Sequence, residues 1–525
     1  MTSAPQAAVA EARAALRTAL AVRGFTDDGI LLRGPVPWHG PTGPTTATVD
    51  VTLPESYPFG PPVVRLHDTG ADITVTFHVD PDEALCLWDN TEPANDPSWS
   101  DPDTLITRIA GWLERTAAGW PGDDDCDLER YLPGPTAPKL VLYDAAALAT
   151  INGCVSTTED EYTRTVQAVP KHPPPAPVPS CRRGRPTKQR KKSPPRRPQH
   201  LAYVADLGQL HAPIRQWEDL TELVAEPREL RRLVNVGDIN LLLLRYQRGQ
   251  ASGVLAIAIT PGGQGKSPRL QPCEVADTSA ASRTLRAGPQ AAALAQVHVT
   301  LVGCGAVGSY VADLLYREGV RRFRLVDPDT YRPGNAIRHA APAELVGRSK
   351  VQAVAEGLDA LGLGAPDVEF QEVRLSTPDH ALQLMRGTDL VIDATAATRA
   401  TALLRWAAEA TGQPVISVCV QRDGCIARVD RFPLHGSEQH LPAVPLLTGG
   451  SPPLRERGCS DAVSPTPPSA VVAAAELAVE VARDQLLLDA AAPASVLRVL
   501  HPQPDSPYTA LTTITSTVPT APGLA

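Results

Sequence analysis

Nowhere in the 525 residues is there a Cys-x-x-Cys pair, and the nine cysteines, at 86, 126, 154, 181, 273, 304, 419, 425 and 459, follow no framework. A tetrahedral zinc site therefore has no support. The odd, scattered set fits a reducing compartment in which thiols stay free, so the chain is expected in the cytoplasm. No apolar run reaches the roughly 18 residues that a membrane-spanning helix needs. The opening stretch, MTSAPQAAVAEARAALRTAL, lacks a basic segment leading into an apolar one; it reads as an Ala-rich amphipathic helix and not as a signal peptide. Nothing recurs with a period of about 20–50 residues, which excludes a solenoid. Aromatic residues are few, at 4%.

Proline is the opposite case: 53 residues, roughly twice the usual share of about 5%. Many of them fall in Lys171–His200, which holds no acidic residue although the chain's net charge is −9. Such a stretch cannot bury enough apolar surface to fold. A disordered basic, Pro-rich segment is expected over 168–200. Its Arg183-Gly-Arg-Pro186 resembles an AT-hook, in which Arg-Gly-Arg enters an A·T-rich minor groove; a solvated linker with no DNA contact is the alternative.

Around that segment three regions are expected, with 501–525 as a tail. Over 1–135 a helix precedes the strand-like runs GILLRG, TATVDVTL, PVVRLHD and DITVTFHV. A second helix follows near 102–118, with Leu105, Ile109 and Trp112 at helical spacing, making a compact α+β domain. Over 136–290 only KLVLYD, INLLLLRY and GVLAIAIT stand out, and the expectation is a small mixed domain. Over 291–500 short apolar strands (HVTLVG, RRFRLVD, DVEFQEV, DLVIDAT, PVISVCV) alternate with helical stretches near 309–319, 343–362 and 399–411. That alternation implies an α/β, doubly wound, Rossmann-like parallel sheet.

The first turn of the last region carries the chemistry. Gly303, Gly305 and Gly308 form G-x-G-x-x-G between a strand and a helix, where glycine lets backbone approach a phosphate and the helix N-terminus favours an anion. Asp327 closes the next strand about twenty residues on, where a carboxylate can accept from a ribose. Alone, this fits a nicotinamide-dependent dehydrogenase equally well. The residues that follow, DPDTYRPGNAIRH, GRSKVQAVAEGLDALG and DLVIDATAATRATALL, break the tie.

Over roughly 285–435 the chain resembles the ubiquitin-activating superfamily, the ThiF and MoeB adenylyltransferases. The resemblance assigns Asp327 to the ribose with Asp329 beside it, Asn335, Arg338 and Lys350 to the triphosphate of ATP, and Asp393 to Mg²⁺. It implies a homodimer, with Arg283 and Arg286 as candidates for an arginine lent to the partner. A plain solvated helix residue (Lys350) and a helix cap (Asp393) are the bland alternatives. The family's paired Cys-x-x-Cys zinc site is missing.

Over about 20–120, ESYPFGPPVVRLHD, FHVDPDEALCLWDN and PSWSDPDTLITRIAGWL resemble the ubiquitin-conjugating fold. Tyr57, Pro58, Phe59, Pro61 and Pro62 match its turn, and Trp99 and Pro102 its closing element. Cys86 then stands at the nucleophile, against the alternative of a small buried hydrophobe. His78 keeps its place, but the asparagine of that family's His-Pro-Asn is lost; Asp80 and Asn90 are candidate replacements. A second thiol is expected at Cys459, in a Gly/Pro-rich loop with Arg455 and Arg457, before an Ala-rich helix.

The two resemblances together imply a fused activating–conjugating enzyme like those of bacterial CBASS anti-phage operons. ATP-Mg would adenylate a protein C-terminus, perhaps that of a cGAS-like nucleotidyltransferase; a thioester would form on Cys459, pass to Cys86, and be transferred to an amine of an acceptor protein. The ending TAPGLA has no Gly-Gly, so the chain is not expected to be its own modifier. The rivals are a sulfur-carrier adenylyltransferase with an inert N-terminal module, and a scaffold that binds a ubiquitin-like partner.

Overall fold

A computed structural model describes residues 4–88, 98–170, 201–263, 266–446, 454–455, 462–487 and 492–516. The basic segment from 171 to 200, Asn90 and Cys459 lie outside the described residues. Among the described residues no helix is long and apolar enough to cross a membrane. The chain divides into two compact units, 1–279 and 280–525.

The first unit opens with helix α1 (Ala4–Val22) and an antiparallel meander of β1 (Thr26–Asp27), β2 (Leu31–Gly40), β3 (Gly43–Thr52) and β4 (Val63–Asp68). The alternation seen in TATVDVTL buries Ala47, Val49 and Val51 on one face of β3. The run DITVTFHV is no strand; it crosses as irregular chain whose one β-bridge pairs Val79 with Leu85, and it is held by the burial of Phe77 and by the contacts of His78. Helix α2 (Pro102–Ala117) starts where Asp101 accepts from the Thr104 amide and proline occupies the first turn, and it buries Leu105, Ile109, Trp112 and Leu113.

The middle region is a closed seven-stranded barrel. Its strands are β5 (Ala137–Tyr143), β6 (Gly153–Glu159), β7 (Thr163–Pro170), β8 (Leu201–Gln209), β9 (Ile239–Arg248), β10 (Ala251–Thr260) and β11 (Arg269–Asp277), in the order β10-β11-β5-β7-β6-β8-β9. Closure leaves no open sheet edge. One apolar core runs from the meander into the barrel and includes Trp112, Leu128, Trp217, Leu242 and Ile257.

The second unit is the expected doubly wound sheet. It holds β12 (His298–Val302), β13 (Arg322–Val326), β14 (Asp367–Gln371), β15 (Leu390–Asp393), β16 (Val415–Gln421), β17 (Ile426–Phe432), β18 (Ser495–Val499) and β19 (Thr512–Thr515). Their order is β14-β13-β12-β15-β16-β17-β18-β19, with the first five parallel and the rest antiparallel. Helices α3 (Ala306–Glu318), α4 (Lys350–Ala360), α5 (Thr398–Thr411) and α6 (Pro468–Leu487) pack on it. Every residue of β12 is buried, as a central strand covered on both faces must be. The helix expected over 343–362 is shorter, because a 3₁₀ turn at Ala343–Leu345 comes first and Ser349 caps α4 by accepting from the Gln352 amide.

Candidate functional site

Register fixes where the Gly-rich turn sits. Val302 pairs with Val326 on one side and with Asp393 on the other, so Gly303, Asp327 and Asp393 all lie at the carboxyl ends of neighbouring parallel strands. The order reverses at β12, since β13 and β14 follow it one way and β15 and β16 the other. Ligands bind at that switch point in open α/β sheets.

The turn needs its glycines for different reasons. Gly303 has φ +94°, and a Cβ there would stand 2.8 Å from backbone atoms of Ala394 and Thr395. A Cβ on Gly308 would stand 1.8 Å from the Gly303 carbonyl oxygen. Beside Gly305, at the N-cap of α3, a Cβ would meet nothing within 4 Å. That open space lies at the start of a helix without a capping side chain, as an anion cradle requires.

Asp327 is buried and braces this turn: its carboxylate accepts from the Cys304 amide at 2.7 Å and from the Asp329 amide at 2.8 Å. Burial pushes its carboxyl above the usual range, against the pull of Lys350 and the two amides. Lys350 donates to Asp329 at 2.8 Å. Asn335 accepts from the Arg332 amide, and Arg338 donates to the carbonyls of Ser464 and Thr466 just before α6. Arg283 donates to the Gly362 carbonyl.

Asp393 does not fit the metal role that resemblance gave it. It is wholly buried, and its carboxylate accepts from the Thr395 amide and hydroxyl, the Thr401 hydroxyl and the Ser417 hydroxyl. Four donors occupy the roughly four acceptor positions of a carboxylate. The residue anchors the end of β15 to α5 and β16.

His339 joins the Asn-x-x-Arg segment to the turn: its ring bonds to the Cys304 carbonyl at 2.9 Å and accepts from the Ala341 amide at 3.1 Å, which requires the neutral form. Burial drives its pKa from 6.5 down to about 4. The folded state thus binds fewer protons than the unfolded one between those values, so this stability is complete above pH 6.5 and is lost as the pH falls toward 4. Chemical denaturation of the C-terminal unit should show about 2 kcal/mol of this loss between pH 7 and pH 5, and His339→Gln should flatten it.

In the first unit, the motifs that carry the conjugating resemblance meet in space. The Trp99 indole donates to the Pro58 carbonyl at 2.9 Å, and Tyr57 is buried. Cys86 is partly exposed, with its amide bonded to the His78 carbonyl. His78 has φ +58°, a strained value for a bulky residue, and four contacts hold it there. Its amide donates to the Tyr131 hydroxyl, its carbonyl accepts from Cys86 and the Trp112 indole, and its ring bonds Asp123 at 2.7 Å. Arg248, from barrel strand β9, pairs with the same carboxylate. Burial pushes the Asp123 carboxyl up, but these partners outweigh it and hold it below its ordinary value.

The thiol faces charges of both signs. Arg130 reaches Cys86 Sγ at 2.6 Å and Asp80 Oδ1 at 2.7 Å, and it is tied to Asp127 at 2.7 Å. Asp80 Oδ1 lies 3.6 Å from Sγ. Burial, more than Arg130 offsets, pushes the thiol up to about 12. A carboxylate at Asp80 is acceptor-only, so it cannot replace the oxyanion-stabilising asparagine as a donor. Sequence reasoning missed Arg130, Asp123 and Arg248, which no local pattern links to Cys86.

Residues 281–474 match the model of the ThiF family.

Among curated relatives, the ATP-dependent ubiquitin transferase-like protein Cap2 of Escherichia coli (strain TW11681) is 31% identical over 162 residues, 29% of this chain and 26% of that protein. The adenylyltransferase and sulfurtransferase MOCS3 of Sus scrofa is 33% identical over 130 residues, 25% of this chain and 28% of that protein. The matches span about a quarter of the length of these relatives. Among solved structures, E. coli MccB with ATP is 14% identical, with a TM-score of 0.33, covering 42% of this chain and 64% of that one. The residues matched by the ThiF model include the Gly-rich turn, Asp327, Asp329, Asn335, Arg338, Lys350 and Asp393 that the sequence singled out, while Cys86 lies outside them. Within the matched stretches the chain is thus similar both to an ATP-dependent ubiquitin transferase-like protein and to an adenylyltransferase and sulfurtransferase.

Proposed function

We propose that this chain is an ATP-dependent activating and conjugating enzyme for a protein C-terminus. The observation that carries the reading is the turn at the switch point, open beside Gly305 at the start of α3, with Asp327, Asp329 and Lys350 gathered at the same sheet end. A triphosphate placed on that helix N-terminus would draw Lys350 from Asp329 and Arg338 from the Ser464 and Thr466 carbonyls, and both cations would neutralise charge as a carboxylate attacks the α-phosphate. Asp327, already fixed by two amides, would present its edge to the ribose. Mg²⁺ arriving with the nucleotide would supply further positive charge beside the phosphates.

The acyl group would pass from the adenylate to a thioester on Cys459, then to Cys86, then to an amine. Its source would be a protein with an accessible C-terminus, a cGAS-like nucleotidyltransferase in a defence setting, and the enzyme would act as a cytoplasmic homodimer. What supports Cys86 as the acceptor is its partial exposure within a pinned loop, in the setting that Tyr57, Pro58 and Trp99 build. Carrying both thiols on one chain raises their effective concentration.

The test is exchange of labelled pyrophosphate into ATP by the full chain, with and without a candidate protein. Exchange that requires an intact C-terminal carboxylate on that protein is the expected result. Exchange followed by no adduct on any cysteine would favour a sulfur-carrier adenylyltransferase, and no exchange with any carboxylate would overturn activation altogether.

A further inference from the structure

We propose that Asp80 and Arg130 work on the Cys86 thiol as a pair, Asp80 taking its proton and Arg130 holding the negative charge, first on sulfur and then on the carbonyl oxygen. This rests on the conjugation reading above and names the groups that would perform it.

The geometry comes from one tight turn and one short helix. Asp80 donates its amide to the Ala84 carbonyl and accepts, through its own carbonyl, from Glu83, so the chain doubles back and sets the Asp80 carboxylate beside Cys86. Arg130 sits in a 3₁₀ turn (Leu128–Tyr131) whose next residue, Tyr131, holds the His78 amide. Asp127 and Asp80 clamp the guanidinium from two sides, at 2.7 Å each, leaving one Nη2 aimed at both Sγ and Asp80. A guanidinium held this way is pre-organised, and little is lost in ordering it when charge appears. Arg130, Asp80 and Asp127 are each about a third exposed and Cys86 is partly exposed, which leaves the sulfur open to an incoming acyl group.

Burial makes the resting sulfur a thiol, not a thiolate, at neutral pH. A proton acceptor in contact is therefore needed, and Asp80 is in contact.

In loading, the Cys86 proton passes to Asp80 and Sγ bonds to the carbonyl carbon of the incoming thioester. The tetrahedral oxygen, negative, faces Arg130; the bond to the donor sulfur then breaks, and that thiolate takes the proton from Asp80. In discharge, an amine attacks the Cys86 thioester and gives a proton to Asp80. The carbon–sulfur bond breaks, the Cys86 thiolate is held by Arg130, and Asp80 returns the proton to it. No other reactant is consumed.

Two measurements on the full chain test the pair. The first is alkylation of Cys86 by iodoacetamide across pH, followed on the Cys86 peptide by mass spectrometry, which requires no acyl transfer. Arg130→Gln should make alkylation about tenfold slower near pH 8, as a one-unit rise of the thiol requires; Asp80→Asn should make it faster, and Arg130→Lys should restore most of the rate. The second is discharge, to a free amine, of Cys86 loaded from a short peptide thioester of mercaptoethanesulfonate. Arg130→Gln should slow this by about 100-fold, and Asp80→Asn should slow it too. Asp80→Asn thus moves alkylation and discharge in opposite senses, which a merely structural role would not do. Alkylation at the wild-type rate near pH 8 in Arg130→Gln, or discharge at the wild-type rate in either variant, would overturn the proposal. A wild-type protein whose alkylation near pH 8 depends on Arg130 but which accepts no acyl group would sink the conjugation reading and leave the charge pairing standing.

Discussion

Gly308→Ala is expected to unfold the nucleotide turn, and Gly305→Ala to leave the fold intact while blocking the nucleotide. At 308 the new methyl would lie 1.8 Å from the Gly303 carbonyl oxygen and 2.9 Å from its carbon. Those are backbone atoms, so no side-chain rotation relieves the contact; α3 must move away from the turn, at a cost of about 3 kcal/mol. At 305 φ is −81°, which alanine adopts, and nothing lies within 4 Å of the added carbon. The methyl would instead occupy space at the N-terminus of α3, where phosphate oxygens would approach backbone amides. Denaturation of the C-terminal unit should separate the two variants, with Gly308→Ala shifted and Gly305→Ala unchanged. ATP binding should weaken by tenfold or more in both. A Gly305→Ala protein that binds ATP as tightly as wild type would place the nucleotide elsewhere.

Much of the second unit could be read from periodicity because each strand–helix pair writes its own signal. HVTLVG is a run buried on both faces, the glycines puncture it where backbone must bend, and Asp327 stands at the next strand's end. The barrel left no such trace. Its closure depends on parallel pairings between distant segments, β5 with β11 and β8 with β9, and no local pattern encodes which distant edge a strand will join. DITVTFHV failed for a related reason: it alternates like a strand, but its backbone finds no ladder, and His78 turns it into the left-handed region. Tertiary context overrode propensity there.

The site around Cys86 was half legible. The turn, the thiol and Trp99 follow one another along the chain, and the indole bond to Pro58 unites them. The groups that set this site come from farther away: Arg130, which faces the sulfur, from the connection after α2, and Arg248, which pairs with the Asp123 that holds His78, from the barrel. The barrel therefore has a part in shaping the thiol loop that its own sequence does not reveal. Asp393 is the converse case. Its position after a strand looked like a ligand position, but Thr395, Thr401 and Ser417 claim its oxygens.

Cys86→Ala should abolish acyl transfer to the acceptor while sparing activation. Only Sγ is removed, its partner Arg130 keeps Asp80 and Asp127, and the loop remains pinned through His78, so the first unit should melt as wild type does. Pyrophosphate exchange, proposed for the nucleotide turn of the second unit, should continue. The most direct test incubates wild-type and Cys86→Ala full-length protein with ATP and the candidate C-terminal donor, and resolves the products on a non-reducing gel. The expected result is a thiol-sensitive, ATP-dependent adduct in wild type whose Cys86-linked form, and all acceptor labelling, vanish in the variant. Acceptor labelled at the wild-type rate without Cys86 would contradict the account.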